Sequence, residues 1–589
     1  MRVNKNILIV LILFAVILIS YGNIFPNEFV LDDNDFIAEN IHTKYIKNIP
    51  EFFVEASINN LYRPLRTTFY TLYYQIWNLN VFGYHLNSLI LHTFVTLLLF
   101  FITLKITKKK MFSFVASLFF ASHPIHTGRV TNMTAAFDIY GILFMLLAFY
   151  FYILASNKKH YYFLSIWFYV LALFSSEEAI TLILILLLYD ISFNYKINMN
   201  TFRLLFKKYL PYIIASIFYL TVRFIVLQQV GRTEIYFKES FLITQFTTVK
   251  VFANYILLLF FPYNVTIFKN YTSVASILNP AFLLSLFVLL SIIFFTIKSY
   301  KKSKMIFFSI SFFFITLLPF SNIFPQLTLM ADRYLYLPSY GFCIFLALVI
   351  FNLKDIEILK KHSKIIILSL IIAILSFYTF LTIQINTEWR DQFTVLNAAI
   401  EKNKGKGTMA HAALAEYYTE IGDYNNAIKY SVSAIQLLPD NFYAYKNLGR
   451  TYAELKNYSL AIHYYKKSLE IKPDLYQSYN NIGLIYSYIG DFNNSIFYLK
   501  RAIEIEPNLS KAYNDLGTVY AQIGEVNLAI KNMEKSIEIN PYQIDYYYNL
   551  AVIYEFLEND EKAKELLLKA LEIEPDNEKI KNKLDRLGS

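Results

Sequence analysis

Long apolar runs punctuated by short basic loops occupy the first two thirds of the chain. As helices they are long enough to cross about 30 Å of hydrocarbon. They lie near 6–24, 86–105, 111–122, 133–154, 161–176, 178–194, 209–228, 280–297, 305–323, 338–353 and 364–385. A further run at 251–261 is only about eleven residues, too few to span, and predicts an interfacial or re-entrant helix. The basic loops are Arg2 with Lys5, Lys105 with Lys108 to Lys110, Lys158 with Lys159, Arg203 with Lys207 and Lys208, Lys298 to Lys304, and Lys354 to Lys364. Placed in the cytoplasm by the positive-inside rule, they are joined by eleven crossings. An odd count puts the N-terminus in the cytoplasm and everything after 386 outside. The opening segment has a basic start and an apolar middle but no small-x-small cleavage site, so it reads as a retained first helix.

Beyond 386 the pattern turns polar and tyrosine-rich. Pro439, Pro473, Pro507, Pro541 and Pro575 each follow the last by 34 residues, the tetratricopeptide period. Small residues and tyrosines recur in step, as at Gly449, Tyr452 and Ala461 and again at Gly517, Tyr520 and Ala529. The prediction is an all-α chain: a polytopic membrane domain over 1–386, a linker over 387–407, five repeats stacked as a solenoid over 408–577, and a capping helix over 578–589. Asn447, Asn481 and Asn549 share one repeat position, and Asn514 stands one residue before it in its own repeat. They are candidates to hydrogen-bond an extended acceptor peptide, or equally to link neighbouring helices.

Composition agrees with a membrane class: 56% of residues are hydrophobic and 17% charged. The net charge of +10 sits in the loops between apolar runs, which removes nucleic acid as an expected partner. A lone cysteine, Cys343, excludes an intramolecular disulfide and a cysteine-based zinc site.

Polar residues of unusual kind collect in loops that all fall on the outer side: VLDDND, LYRPLR, SHPIHTGRV, SSEEAIT and MADRYLYLPS. Asp138 lies inside an apolar run, where a charge is costly and marks a functional site by default. A carboxylate can take a proton from a hydroxyl, and guanidinium pairs well with phosphate oxygens. Asp32 and Asp33 are therefore candidate bases, and Arg63, Arg66 and Arg333 candidate phosphate ligands. His123 and His126 have no third residue at zinc-ligand spacing and are read as hydrogen-bonding or phosphate-contacting groups. Carboxylate oxygens suit magnesium or manganese, but nothing in the sequence requires a divalent cation.

The loop order LDDND, YRPLRTTFY, HPIHTGRV, SSEEAIT and ADRYLYLPSYG, followed by the repeat array, resembles the transmembrane and tetratricopeptide repeat containing proteins. That family comprises O-mannosyltransferases among the multi-pass C-type glycosyltransferases that use lipid-linked sugars. The resemblance implies that Asp32 and Asp33 occupy the catalytic acidic motif, and brings in His123, His126, Asp138, Glu177, Asp332 and Tyr334 as further site candidates. It implies transfer of a sugar, mannose by resemblance, from a polyprenyl phosphate to Ser or Thr hydroxyls of an exported protein held by the repeats. This chain has Gly128 where the family pattern has glutamate, Ala135 and Ala136 in place of a GR pair, and Ser176 in place of a lysine. The alternatives are a non-catalytic scaffold that recruits envelope proteins through the repeats, and an oligosaccharide ligase or polymerase.

Overall fold

The structure, a computed structural model, describes residues 5–58, 61–155, 158–195, 199–228, 240–269, 272–326, 328–356 and 361–588. Arg2 and residues 357–360 of the last basic loop lie outside the described residues. The chain divides into two compact units, 1–402 and 403–589. Among the described residues the only β pairing is an isolated antiparallel bridge between Ser57 and Leu61.

The first unit contains α1 (Lys5–Tyr21), α2 (Pro64–Trp77), α3 (Val81–Thr107), α4 (Lys110–Ser122), α5 (Thr127–Val130), α6 (Met133–Phe137), α7 (Ile139–Leu154) and α8 (His160–Ser175). It continues with α9 (Leu182–Tyr189), α10 (Met199–Leu227), α11 (Phe241–Phe260), α12 (Pro280–Lys302), α13 (Lys304–Leu317), α14 (Pro338–Asn352), α15 (Ser363–Thr387) and α16 (Gln392–Lys402). Among the described residues eight helical segments are long and apolar enough to cross a membrane. Three shorter apolar helices, Lys110–Ser122, His160–Ser175 and Lys304–Phe320, coincide with expected spans.

Three local expectations are corrected. The run at 178–194 is not one α-helix: a 3₁₀ turn over Glu177–Thr181 and a π turn over Asp190–Asn194 flank the eight residues of α9. The run at 251–261 belongs to the 20-residue α11. Its first half is rich in threonine, which lowers the apolar signal, yet the hydroxyls of Thr244, Thr247 and Thr248 bond back to carbonyls four residues earlier and so leave no polar group unmet. Residues 387–402, expected within a linker, belong to the first unit. Trp389, Val395, Leu396 and Ala399 are buried there, and the backbone N–H of Leu31 donates to Gln392 Oε1 at 2.8 Å.

The second unit is five helix pairs and a last helix. The pairs are α17 and α18 (Thr408–Glu420, Tyr424–Leu437), α19 and α20 (Phe442–Glu454, Tyr458–Ile471), α21 and α22 (Tyr476–Tyr488, Phe492–Ile505), α23 and α24 (Ser510–Gln522, Val526–Ile539), and α25 and α26 (Ile544–Phe556, Asp560–Ile573). A Cβ on Gly483 would stand 2.7 Å from Leu499 Cγ, and one on Gly517 2.7 Å from Met533 Cγ. Glycine at that position lets the two helices of a repeat close on each other. The last helix, α27 (Glu578–Gly588), packs Ile580 into the core of the neighbouring repeats and is rich in charge over the rest of its sequence.

Close helix packing recurs in the first unit. A Cβ on Gly341 would meet the backbone oxygen of Ser309 at 2.5 Å and the backbone nitrogen of Phe313 at 3.0 Å, so α13 and α14 touch backbone to backbone. Gly341→Ala is expected to lower stability by about 1–3 kcal/mol through overpacking, read as a fall in the unfolding temperature of the detergent-solubilised full chain. An unchanged midpoint would contradict this packing.

Candidate active site

Six charged side chains from four parts of the first unit meet around Asp138. The sequence Arg63-Pro64 makes Arg63 the residue before α2, with proline at the first helical position; Arg66 follows within the first turn. Asp138 stands at the junction of α6 and α7. Ser176 is extended, so the chain leaves α8 sharply and enters the 3₁₀ turn with Glu177 and Glu178. That corner can press against α7 because Gly141 has no side chain: a Cβ there would lie 2.6 Å from Ser176 Cβ.

The Asp138 carboxylate accepts from three guanidiniums. Arg63 Nη1 and Arg66 Nη1 donate to Oδ1 at 2.6 and 3.0 Å, and Arg129 Nη1 donates to Oδ2 at 2.8 Å. Arg63 Nε donates to Glu177 Oε2 at 2.7 Å, and Arg129 Nη2 to Glu178 Oε1 at 2.5 Å. The three arginines expose only 6, 3 and 2% of their surface. Burial alone would lower the Arg63 pKa, but the charges of Asp138, Glu177 and Glu178 outweigh it and hold the group above its ordinary range. Three cations and three anions cancel, which is how so many charges sit away from water. Nε and Nη2 of Arg66 are buried with no partner, so the network has hydrogen-bond donors to spare. The same guanidinium lies over the rings of Phe36 and Tyr70, 5.1 and 5.6 Å from their centroids.

Phe36 belongs to the VLDDNDF stretch, which sits beside the network. Asp33 is fully buried; its Oδ1 accepts from Thr134 N at 2.7 Å and its Oδ2 from Val30 N at 3.2 Å. It thereby pins the start of α6, the element that carries Asp138. Burial pushes its pKa up to about 6, with the Thr134 and Val30 hydrogen bonds opposing and Asp32 adding slightly. Asp32, by contrast, is exposed. The two adjacent carboxylates, taken together as catalytic from the sequence, thus have different surroundings: one positions, the other faces outward.

A groove of about 470 Å³ opens from this network. Arg63, Glu177, Glu178 and Arg223 form its polar part. Leu184, Leu220, Leu318, Ile323 and Phe324 form an apolar wall, each 40% or more exposed. Two guanidiniums, balanced by two glutamates, meet a bare hydrocarbon wall, which gives the groove a charged end and an apolar side for an amphiphile.

The remaining expected residues lie elsewhere. Asp332 is buried, with Oδ2 accepting from Thr266 N at 2.9 Å and facing Lys269 Nζ at 3.0 Å. Burial raises its pKa, Lys269 opposing. Arg333 borders a small cavity with Asp332, Gly128 and Trp389, its guanidinium 5.7 Å from the Tyr334 ring centroid. Tyr334 stacks on Phe320, which is itself part of the groove lining. His123 and His126 are core residues: His123 Nε2 meets Leu259 O at 3.2 Å and His126 Nε2 meets Ser339 Oγ at 2.8 Å. Burial drives both pKa values down, so both imidazoles are neutral and serve packing rather than an anion.

In the repeats, Asn447 Nδ2 donates to Ala412 O at 2.8 Å, Asn549 Nδ2 to Asn514 Oδ1 at 3.0 Å, and Asn481 Nδ2 to Tyr465 Oη at 3.1 Å. These asparagines link helices, and of the four only Asn481 borders the groove of about 650 Å³ within this unit. Arg129, Glu178 and Arg223 were not singled out from the sequence. Their one signal was charge placed in or beside an apolar run. No group of three or more His, Cys, Asp or Glu among the described residues is arranged to hold a metal. Guanidiniums take oxygens of Asp138, Glu177 and Glu178, and backbone N–H groups take both oxygens of Asp33. Among the described residues this set does not build a cation site.

Family profiles for the tetratricopeptide repeat match residues 442–475, 476–509, 510–543 and 544–577. The chain is 24% identical over 500 residues to the human protein O-mannosyl-transferase TMTC3, covering 76% of this chain and 53% of that one. It is 23% identical over 433 residues to the Caenorhabditis elegans protein O-mannosyl-transferase F38B6.6, covering 68% and 60%. The chain thus spans about half the length of the curated relatives it matches. Among solved structures, the TPR protein YrrB, with an unusual peptide-binding site, is 26% identical over 32% of this chain and 96% of its own, at a TM-score of 0.26.

Two outcomes follow from the network. Asp138→Asn strips the shared partner from three buried cations and is expected to cost about 3–5 kcal/mol, seen as a large drop in unfolding temperature, whereas exposed Asp32→Asn stays within about 0.5 kcal/mol. Equal effects would contradict the assignment. For Asp33, a folded pKa above the unfolded one means that the native state holds the extra proton. Its contribution is fully present below pH about 4 and is lost as pH rises through about 6. The unfolding-temperature difference between wild type and Asp33→Asn is expected to fall over that window and then level off; a difference independent of pH would contradict it.

Proposed function

We propose that this chain, whose relatives over three quarters of its length are protein O-mannosyl-transferases, is a membrane glycosyltransferase. It moves a sugar from a polyprenyl phosphate to Ser or Thr hydroxyls of an extracytoplasmic protein. The observation that carries the reading is the groove in which an arginine–carboxylate network meets an exposed apolar wall. Arg63 and Arg223 face the donor phosphate, and Leu184, Leu220, Ile323 and Phe324 lie along the first isoprene units.

In the reaction, the acceptor oxygen bonds to the sugar C1 while the bond from C1 to the phosphate oxygen breaks. The leaving polyprenyl phosphate keeps the electron pair, and the acceptor proton passes to Asp32. Asp33 holds α6 in place, and guanidinium charge stabilises the phosphate as it departs. The groove in the repeats, bordered by Arg450, Tyr465, Tyr476, Asn480, Asn481 and Tyr488, receives the acceptor chain and raises its effective concentration.

The proposed sidedness, N-terminus cytoplasmic and repeats outside, is supported by the basic loops and by α11. Gln245 donates to Asn322 O, Tyr255 to Ala331 O, and Leu259 O meets His123. The helix therefore runs past loops that share one side. Although α11 is long and apolar enough to cross, these contacts favour its lying along that side, which leaves the count of crossings odd.

The test is transfer from a labelled polyprenyl-phosphate mannose to a Ser/Thr peptide by the purified full chain. Wild type is expected to transfer. Asp32→Asn is expected to lose at least about 100-fold with its unfolding temperature retained. Transfer unaffected by Asp32→Asn would remove the base, and no transfer from any polyprenyl-phosphate sugar would remove the reaction.

A further inference from the structure

Arg63 is the wall between two cavities. One is the apolar-sided groove already described. The other, of about 240 Å³, lies under the first outer loop and is bordered by Asn40, His42, Glu51, Phe52, Glu55 and Arg63. Each cavity is lined by two glutamates and by Arg63, but only the groove adds a second guanidinium, Arg223. Glu51 and Glu55, four residues apart, line the smaller cavity with His42, whose pKa burial lowers while the two carboxylates oppose that shift. Asn40 Oδ1 accepts from the His42 backbone N–H at 3.1 Å, holding that turn. The Ser57–Leu61 bridge closes the loop on itself at the cavity's edge. None of these residues takes part in the Asp138 network except Arg63, and the proposed reaction leaves them unused.

We infer that this cavity is a pyranose-binding pocket: Glu51, Glu55, Asn40 and His42 hydrogen-bond the hydroxyls of one hexose ring whose phosphate lies at Arg63. The inference rests on the transferase reading and adds to it a place for the sugar. Carboxylates and amide oxygens are hydrogen-bond acceptors, the partners that ring hydroxyls need as donors. An anionic pocket would repel a phosphate, so the ligand's charge stays on the guanidinium side and its neutral polyol on the other. Phe52 offers the apolar surface that the C–H face of a pyranose covers. The volume admits one ring and excludes an oligosaccharide, which weighs against ligase chemistry in this pocket.

The experiment measures binding of two short-chain probes, citronellyl phosphate and citronellyl-phosphate mannose, to the detergent-solubilised full chain. Free mannose is a third arm. Wild type is expected to bind the sugar-bearing probe about ten-fold more tightly than the bare phosphate, the worth of one charge-assisted hydrogen bond or more. In Glu51→Gln plus Glu55→Gln that increment is expected to fall to within about two-fold while bare-phosphate affinity is kept. Because both glutamates are exposed, the fold tolerates this change, and retained phosphate binding is its control. Ala56→Trp, which fills the cavity without touching a charge, is expected to abolish the increment likewise. Equal binding of both probes by wild type, or an increment surviving in either variant, overturns the pocket and leaves the donor reading standing. Binding of neither probe overturns both. Free mannose binding lost in the variants supports a pocket that reads the ring itself; free mannose binding kept in them overturns it.

Discussion

One carboxylate organises the first unit. Asp138 gathers Arg63, Arg66 and Arg129, and through them Glu177 and Glu178. These come from segments far apart in sequence: Arg63 and Asp138 are 75 residues apart, and Arg63 and Glu177 are 114. Buried charges of this kind are tolerated only when each finds its partner, so the network dictates where the start of α2, the junction of α6 and α7, and the turn after α8 must sit. Every feature assigned to the site, from the placement of Asp33 to the apolar-walled groove, is built outward from that junction.

The consequence is a division of labour among residues of one chemical type. Asp33 is spent on two backbone N–H groups and holds α6, while Asp32 beside it faces outward. Arg63 and Arg129 are each bound to two carboxylates, whereas Arg66 makes one such bond and keeps buried donors unmet. The six charges of this scaffold are balanced among themselves, and the spare donors of Arg66 are buried within it. Arg223 adds a second guanidinium to the lining of the groove, beside Arg63, Glu177 and Glu178.

Much of this was legible in the sequence, for reasons that can be named. Periods of 34 residues and the step from Gly449 to Gly517 expose the repeats because stacked units must repeat their close contacts. Asp138 stood out as a charge inside an apolar run, Arg63 and Arg66 as guanidiniums in an outer loop, and Glu177 through the family resemblance alone. Pairing did not: nothing local says that Asp138 meets Arg129 rather than Arg333, since that depends on how the helices cross. Arg129 also lies just after Gly128 and near Ala135 and Ala136, where the expected family pattern differs, so the resemblance drew the eye away from it. Burial separates Asp32 from Asp33, and adjacency in sequence carries no trace of it. The histidines misled because HPIH looks like a site, while their rings are packed among Phe120, Tyr336 and Tyr378. For α11, threonines satisfied inside the helix masked its length.

The central claim is that the groove beside the Asp138 network seats a polyprenyl phosphate. Photo-crosslinking of the full chain with a photoreactive polyprenyl phosphate, followed by peptide mapping, tests it directly. The account predicts labels on Leu184, Leu220 and residues 318–324, reduced by unlabelled polyprenyl phosphate. Labels confined to the apolar cavity between α11 and α14, around Ile256, Phe313 and Phe345, would contradict it.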